Sequence, residues 1–208
     1  MNPGGKGPCI TCHMSRPAAA DGSKSPESHT FMPITKGSNS SVASITSTAC
    51  SQCHPTVAGI PMDATMLESK RLGFKAAMIF LRTLIRTKIT GVTLDAKTGL
   101  LSYASSTNWR TACGGVDTIV PGSGNLLPGG PDSIGSAAYT MGAAFNYEML
   151  YADYGSYVHN PNYIKRLIFD SIDWLNDCAL TTTNGSLECA GITDPVAKAY
   201  LCPSGVRP

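Results

Sequence analysis

Cys9-Ile-Thr-Cys12-His13 and Cys50-Ser-Gln-Cys53-His54 share one pattern: two thiols separated by two residues and followed at once by an imidazole. Each thiol can add to one of two vinyl groups on adjacent edges of a porphyrin, forming thioethers. The histidine that follows is then brought under the iron as its proximal ligand. This is the attachment signature of c-type haem. A single C-x-x-C would also suit a thioredoxin-like redox pair or half of a zinc site. Two complete matches favour haem, because a zinc site built from the four cysteines leaves both histidines unexplained. The expected cofactors are therefore two covalently bound haem c groups, held by Cys9, Cys12, His13, Cys50, Cys53 and His54.

The chain has four histidines: His13, His29, His54 and His159. Two are proximal ligands by motif, and the other two match the number of sixth positions left to fill. All four are expected as axial ligands to haem iron, although a lone histidine is more often an ordinary core or surface residue. Met14 and Met32 lie near the first motif, so a His/Met site, which would have a higher potential, is the competing arrangement. Bis-histidine ligation leaves no open iron position for a substrate. No nucleophile or acid–base constellation accompanies the motifs, which points to an electron-transfer protein rather than an enzyme. A di-haem oxidoreductase such as a peroxidase, with one vacant iron, is the rival. Loop closure favours pairing His13 with the nearby His29, which leaves His54 for the distant His159.

The elements that must position these residues divide unevenly. Residues 1–60 are poor in helical pattern and rich in Gly, Pro, Ser and Thr, and Lys36–Ala49 reads as loop or extended linker. This part is expected to be organised by haem. Residues 61–208 form the helical part. A first helix is expected over Glu68–Lys88, where Phe74, Met78, Leu81 and Ile85 recur at helical spacing. Lys75, Arg82 and Arg86 make a second, basic stripe: a solvated face, or partners for haem propionates. Residues 114–135 read as loop, and a second helix covers Ala137–Ala152. A third begins at Asn160-Pro161, a good N-cap followed by the residue favoured at the first helical position. Ile164, Leu167, Ile168, Ile172 and Leu175 mark its buried face, and the firm start holds His159 just before it. The expected fold is mostly α with much irregular coil, the two parts making one structural unit.

Two stretches carry a resemblance. The run Cys9–Met14 followed by His29-Thr30-Phe31 resembles multihaem cytochromes, in which C-x-x-C-H-M is followed by a distal histidine with an aromatic residue two positions on. Gly142–Leu175 is similar to the C-terminal part of multihaem cytochromes exported by metal-reducing bacteria. The resemblance covers this segment and the two haem motifs, and the haem number departs from it, two being few for so many residues. It implies electron exchange with redox partner proteins or extracellular electron acceptors. Some such cytochromes polymerise, which implies a homo-oligomer or filament subunit; a soluble monomeric shuttle is the alternative.

Composition bounds the rest. Only 14% of residues are charged and the formal net charge is +2, against about 25% charged residues in ordinary soluble domains. That balance gives no case for nucleic acid, and no stretch approaches the ~20 apolar residues of a membrane span. Four of the eight cysteines, Cys113, Cys178, Cys189 and Cys202, are dispersed. Disulfides of this kind suit an exported protein, so the expected location is extracellular or at the cell surface, with the periplasm as alternative. The opening MNPGGKGP has no apolar region of a signal peptide, which reads as a mature form. Four cysteines allow three pairings. Cys178 and Cys189 flank a turn-rich loop, so the expected pairs are Cys178–Cys189 and Cys113–Cys202.

Overall fold

The computed structural model describes residues 13, 32–47, 50, 62–109, 112, 134–178, 180 and 185–208. The described residues are mostly α, as the apolar periodicity predicts. They fall into two units, Met1–Arg71 and Leu72–Pro208.

The first unit contains a hairpin within the stretch expected to be loop or linker. Strand β1 (Ile34–Lys36) pairs antiparallel with β2 (Val42–Ile45), in the register Ile34 with Ile45 and Thr35 with Ser44. The turn is a short 3-10 segment, Ser38–Ser40, in which Asn39 and Ser40 both take positive φ. An isolated two-stranded hairpin is marginal in water, and here it is anchored to a helix. Helix α1 (Ala64–Lys88) starts four residues before the expected Glu68. Asp63 caps it, its Oδ1 accepting from the Met66 N–H at 2.7 Å. One turn in, Glu68 accepts the Val42 N–H of β2 at 2.8 Å. Arg71 donates to both oxygens of the same carboxylate, at 2.7 and 2.8 Å.

In the second unit α1 presents Ala77, Met78, Leu81 and Ile85 to a core shared with three later helices, and Phe74 packs partly buried beside them. Those helices are α2 (Ile134–Ala152), α4 (Pro161–Asp177) and α6 (Pro195–Leu201); the one-turn α3 (Ser156–His159) and α5 (Ser186–Gly191) lie between them in sequence. Helix α4 buries Ile164, Ile168, Ile172 and Leu175, while Leu167 is partly buried. Gly73 lets Tyr200 of α6 approach α1 closely: a Cβ there would stand 2.6–2.8 Å from the Tyr200 side chain. A second antiparallel hairpin, β3 (Thr90–Leu94) with β4 (Leu101–Asn108), is an element the apolar pattern does not announce. Its turn is closed by Asp95, whose Oδ1 accepts the Lys97 and Thr98 N–H groups. The turn docks on α2 through Glu148, which accepts the Leu101 N–H at 2.7 Å, and through Tyr151, which donates to the Thr98 carbonyl at 3.0 Å. In the basic stripe, Lys75 and Arg86 are exposed. Arg82 is half-buried beside Tyr147, whose hydroxyl donates to the Gly99 carbonyl at 3.3 Å.

The disulfides correct the expected pairing. Cys189 is bonded to Cys202, with Cα atoms 6.0 Å apart, so neither Cys178–Cys189 nor Cys113–Cys202 forms. The reason is local: the short turn from α5 into α6 buries both residues together. Asp194, accepting from Val196 N and Ala197 N, fixes the start of α6. Cys178 instead ends α4 in the left-handed conformation and is itself disulfide-bonded. Its Sγ lies 3.6 Å from the Ala112 carbonyl oxygen. Cys113 lies outside the described residues. Peptide mapping of unreduced protein should yield a Cys189–Cys202 cross-link; a Cys178–Cys189 peptide would refute this pairing.

The anchor of the first hairpin is pH-sensitive. The Arg71 guanidinium beside Glu68 holds the carboxyl down, from 4.5 to about 2; burial opposes this and the Val42 N–H adds to it. Because the folded value is lowered, the stabilisation is full above about pH 4.5 and is lost as pH falls towards 2. Hydrogen exchange should therefore show the Val42 amide losing protection in that window. In Glu68→Gln the same amide should be less protected at pH 7, with little further change on acidification.

Candidate haem-ligand site

Of the residues expected to hold haem, the described ones are His13, Cys50 and His159. Cys9, Cys12, His29, Cys53 and His54 lie outside the described residues, as does Met14. His13 and Cys50 belong to the first unit and are both half-buried. Met32, the alternative ligand, has an exposed side chain, and its carbonyl accepts from the Thr46 hydroxyl.

His159 sits in the second unit on a tightly built corner between two long helices. At the end of α2 the Asp153 N–H donates to the Met149 carbonyl, and the Ser156 N–H donates back to the Asp153 carbonyl. Asp153 Oδ1 accepts the Gly155 N–H at 2.9 Å. Helix α3 then makes a single turn, closed by the His159 N–H on the Gly155 carbonyl at 3.0 Å. It is anchored by buried Ser156 and by buried Tyr157, whose ring lies 6.2 Å from that of Phe74 on α1. Asn160 caps α4 as its sequence predicts, accepting from Tyr163 N at 3.3 Å, with Pro161 at the first position. The backbone on both sides of His159 is thereby fixed.

The ring itself is also held. Its Nδ1 lies 2.8 Å from Asp153 Oδ2. The imidazole lies over Gly155, where a Cβ would stand 2.6 Å from Cε1 and 2.8 Å from Nε2. Both side chains of the ion pair are about half exposed, 52% for His159 and 41% for Asp153. Burial pushes the Asp153 carboxyl up, but the bonds from His159 and the Gly155 N–H outweigh it and hold the group below the usual carboxylate range. With Nδ1 committed to a carboxylate, Nε2 is the nitrogen suited to a metal, the usual arrangement for a ligating histidine. The donor set therefore fits haem iron. Asp153 and Gly155 are the site residues that sequence reasoning missed. Their signal was an acid and a glycine placed six and four positions before the histidine.

No protein-family model matches the chain, and no solved structure matches it. Curated relatives do. The C-type polyheme cytochrome OmcB from two strains of Geobacter sulfurreducens is 33% identical over 222 residues, covering 95% of this chain. OmcC of the same species, also a C-type polyheme cytochrome, is 31% identical over 213 residues, again 95% of this chain. The chain is similar to C-type polyheme cytochromes. It spans about a quarter of the length of these relatives, 26% of each OmcB and 25% of OmcC. The match reaches well beyond the two haem motifs and takes in the segment carrying His159. No helix among the described residues is long and apolar enough to cross a membrane.

Proposed function

We propose that this chain binds two haem c groups covalently and transfers electrons, with His159 as an axial ligand to one of the irons. The observation that supports the ligand assignment is the His159 ring held by Asp153 at Nδ1, which would leave Nε2 as the coordinating nitrogen. The similarity to polyheme cytochromes supports the haem part of the reading.

Cys9 and Cys12, and Cys50 and Cys53, would form the thioethers, and His13 and His54 would be the proximal ligands. His29 and His159 would fill the sixth positions. Haem iron supplies a one-electron ferric/ferrous couple. The residues of the chain would keep that couple outer-sphere: two imidazoles on each iron would leave substrate no position to enter, which disfavours a peroxidase. The partners in this reading are redox proteins or extracellular electron acceptors, and the location is outside the cytoplasm.

Denaturing mass spectrometry should give the polypeptide mass plus two haems. His159→Ala should convert one of the two haems to a high-spin or Met-ligated ferric form. A mass without haem would end the cytochrome reading, and an unchanged ferric spectrum in His159→Ala would end the assignment of this ligand.

A second proposal concerns assembly into a homo-oligomer or filament. Helix α2 carries one charged residue, Glu148, yet exposes Met141, Phe145 and Met149 along one stripe, with Tyr139 beside it. A helix apolar on both faces is normally covered on both, and a second copy of the chain would cover the outer one. Light scattering on the haem-loaded protein should show species larger than one chain. Phe145→Glu should reduce them; a monodisperse single-chain mass at all concentrations would exclude assembly and leave the monomeric shuttle.

A further inference from the structure

We propose that Asp153 is a positioning residue for His159, setting the ring's tautomer and lowering the reduction potential of the haem that His159 ligates. The proposal rests on the axial-ligand reading above and deepens it.

Three features bear on it. Asp153 Oδ2 lies 2.8 Å from His159 Nδ1, a charge-assisted distance. The carboxylate is itself fixed, because its other oxygen accepts the Gly155 N–H and its backbone bonds both Met149 and Ser156. Gly155 lets the ring pack close to the backbone: a Cβ there would stand 2.6–3.2 Å from three ring atoms and would push the ring away. A carboxylate held this way keeps the proton on Nδ1 and the lone pair on Nε2. It also gives the ring more of the character of an imidazolate, a stronger electron donor to iron.

The sign follows from that. Stronger donation and a nearby negative charge both stabilise ferric iron over ferrous, so both move the potential down. In water a half-exposed pair of this kind is worth little. A porphyrin against Nε2 would exclude solvent from that side and strengthen the bond. The arrangement also limits the entropy lost on ligation, because the ring is already oriented.

The test uses the haem-loaded protein and reads two quantities: the ferric optical and electron paramagnetic spectra, and the potential of each haem by redox titration. Asp153→Asn should keep both haems six-coordinate and low-spin while one potential moves positive and the other stays. Gly155→Ala leaves Asp153 in place but sets a methyl against the ring, so the same haem should gain a high-spin fraction. If Asp153→Asn folds and both potentials are unchanged, the tuning role is overturned. If Asp153→Asn does not fold, the Gly155→Ala spectrum decides, and a wild-type spectrum there overturns the positioning role. His159→Ala separates the two levels. An altered spectrum in His159→Ala with no effect of Asp153→Asn sinks this inference alone; an unaltered one sinks the ligand reading and this inference with it.

Discussion

The buried face of α4 is the constraint on which the second unit depends. Ile168, Phe169, Ile172 and Leu175 are at zero exposure and Ile164 is buried beside them, and each contributes roughly 1.5–3 kcal/mol of burial. They pack in one core with side chains of α1, α2 and α6. Midway along α4, Arg207 forks onto Asp170 at 2.6 and 2.8 Å, tying the last residues of the chain to the same helix. Once α4 is placed, its N-terminus is placed too. Asn160 and Pro161 then leave His159 little freedom in where its backbone sits.

His159 and the core are therefore linked through a short connection. Between the last turn of α2 and the first of α4 there are eight residues, 153–160, and the backbone N–H groups of Asp153, Gly155, Ser156, Val158 and His159 all donate within the turn or back to α2. Ser156 and Tyr157 turn into the core while His159 turns out. This division makes chemical sense. A ligand for a large flat cofactor must be exposed on the side the cofactor takes, yet rigid on the other. Asp153 and Gly155 provide the rigid side without adding bulk to the exposed one.

The helical scaffold was legible in the sequence because apolar spacing and capping chemistry agreed. The stripe in α1, the stripe in α4 and the Asn160-Pro161 start all stand where the periodicity puts them, and the proximity of His159 to a fixed helix start was readable too. The α1 start was missed because Ala64 to Leu67 carry no stripe and the Asp63 cap is a single residue. Both hairpins were missed for a different reason. Strand β4 exposes nearly every residue from Ser102 to Ser106, so it lacks the apolar alternation by which a half-buried strand is recognised. Strand β3 is interrupted by Gly91 at φ 87°. These hairpins are held by turn hydrogen bonds and by side chains from helices, Glu68 for one and Glu148 with Tyr151 for the other, and partners distant in sequence leave no local pattern.

The disulfide pairing shows the same limit from the other side. Spacing alone favoured Cys178 with Cys189, eleven positions apart across a turn-rich loop. Cys189 and Cys202 are thirteen apart and flank a helix start. Loop entropy barely separates the two, since the cost grows only with the logarithm of loop length. Direction decides instead. The left-handed residue at the end of α4 turns Cys178 towards Ala112, while α5 and α6 bury Cys189 and Cys202 on a common side. Asp153 belongs to the same class of residue. Its contact with His159 crosses an irregular turn of six residues, so it follows from no helical or strand period. A site of this kind is read in two steps: the chemistry-bearing residue from its type and motif, and the residue that makes it work from the conformation of the turn beneath it.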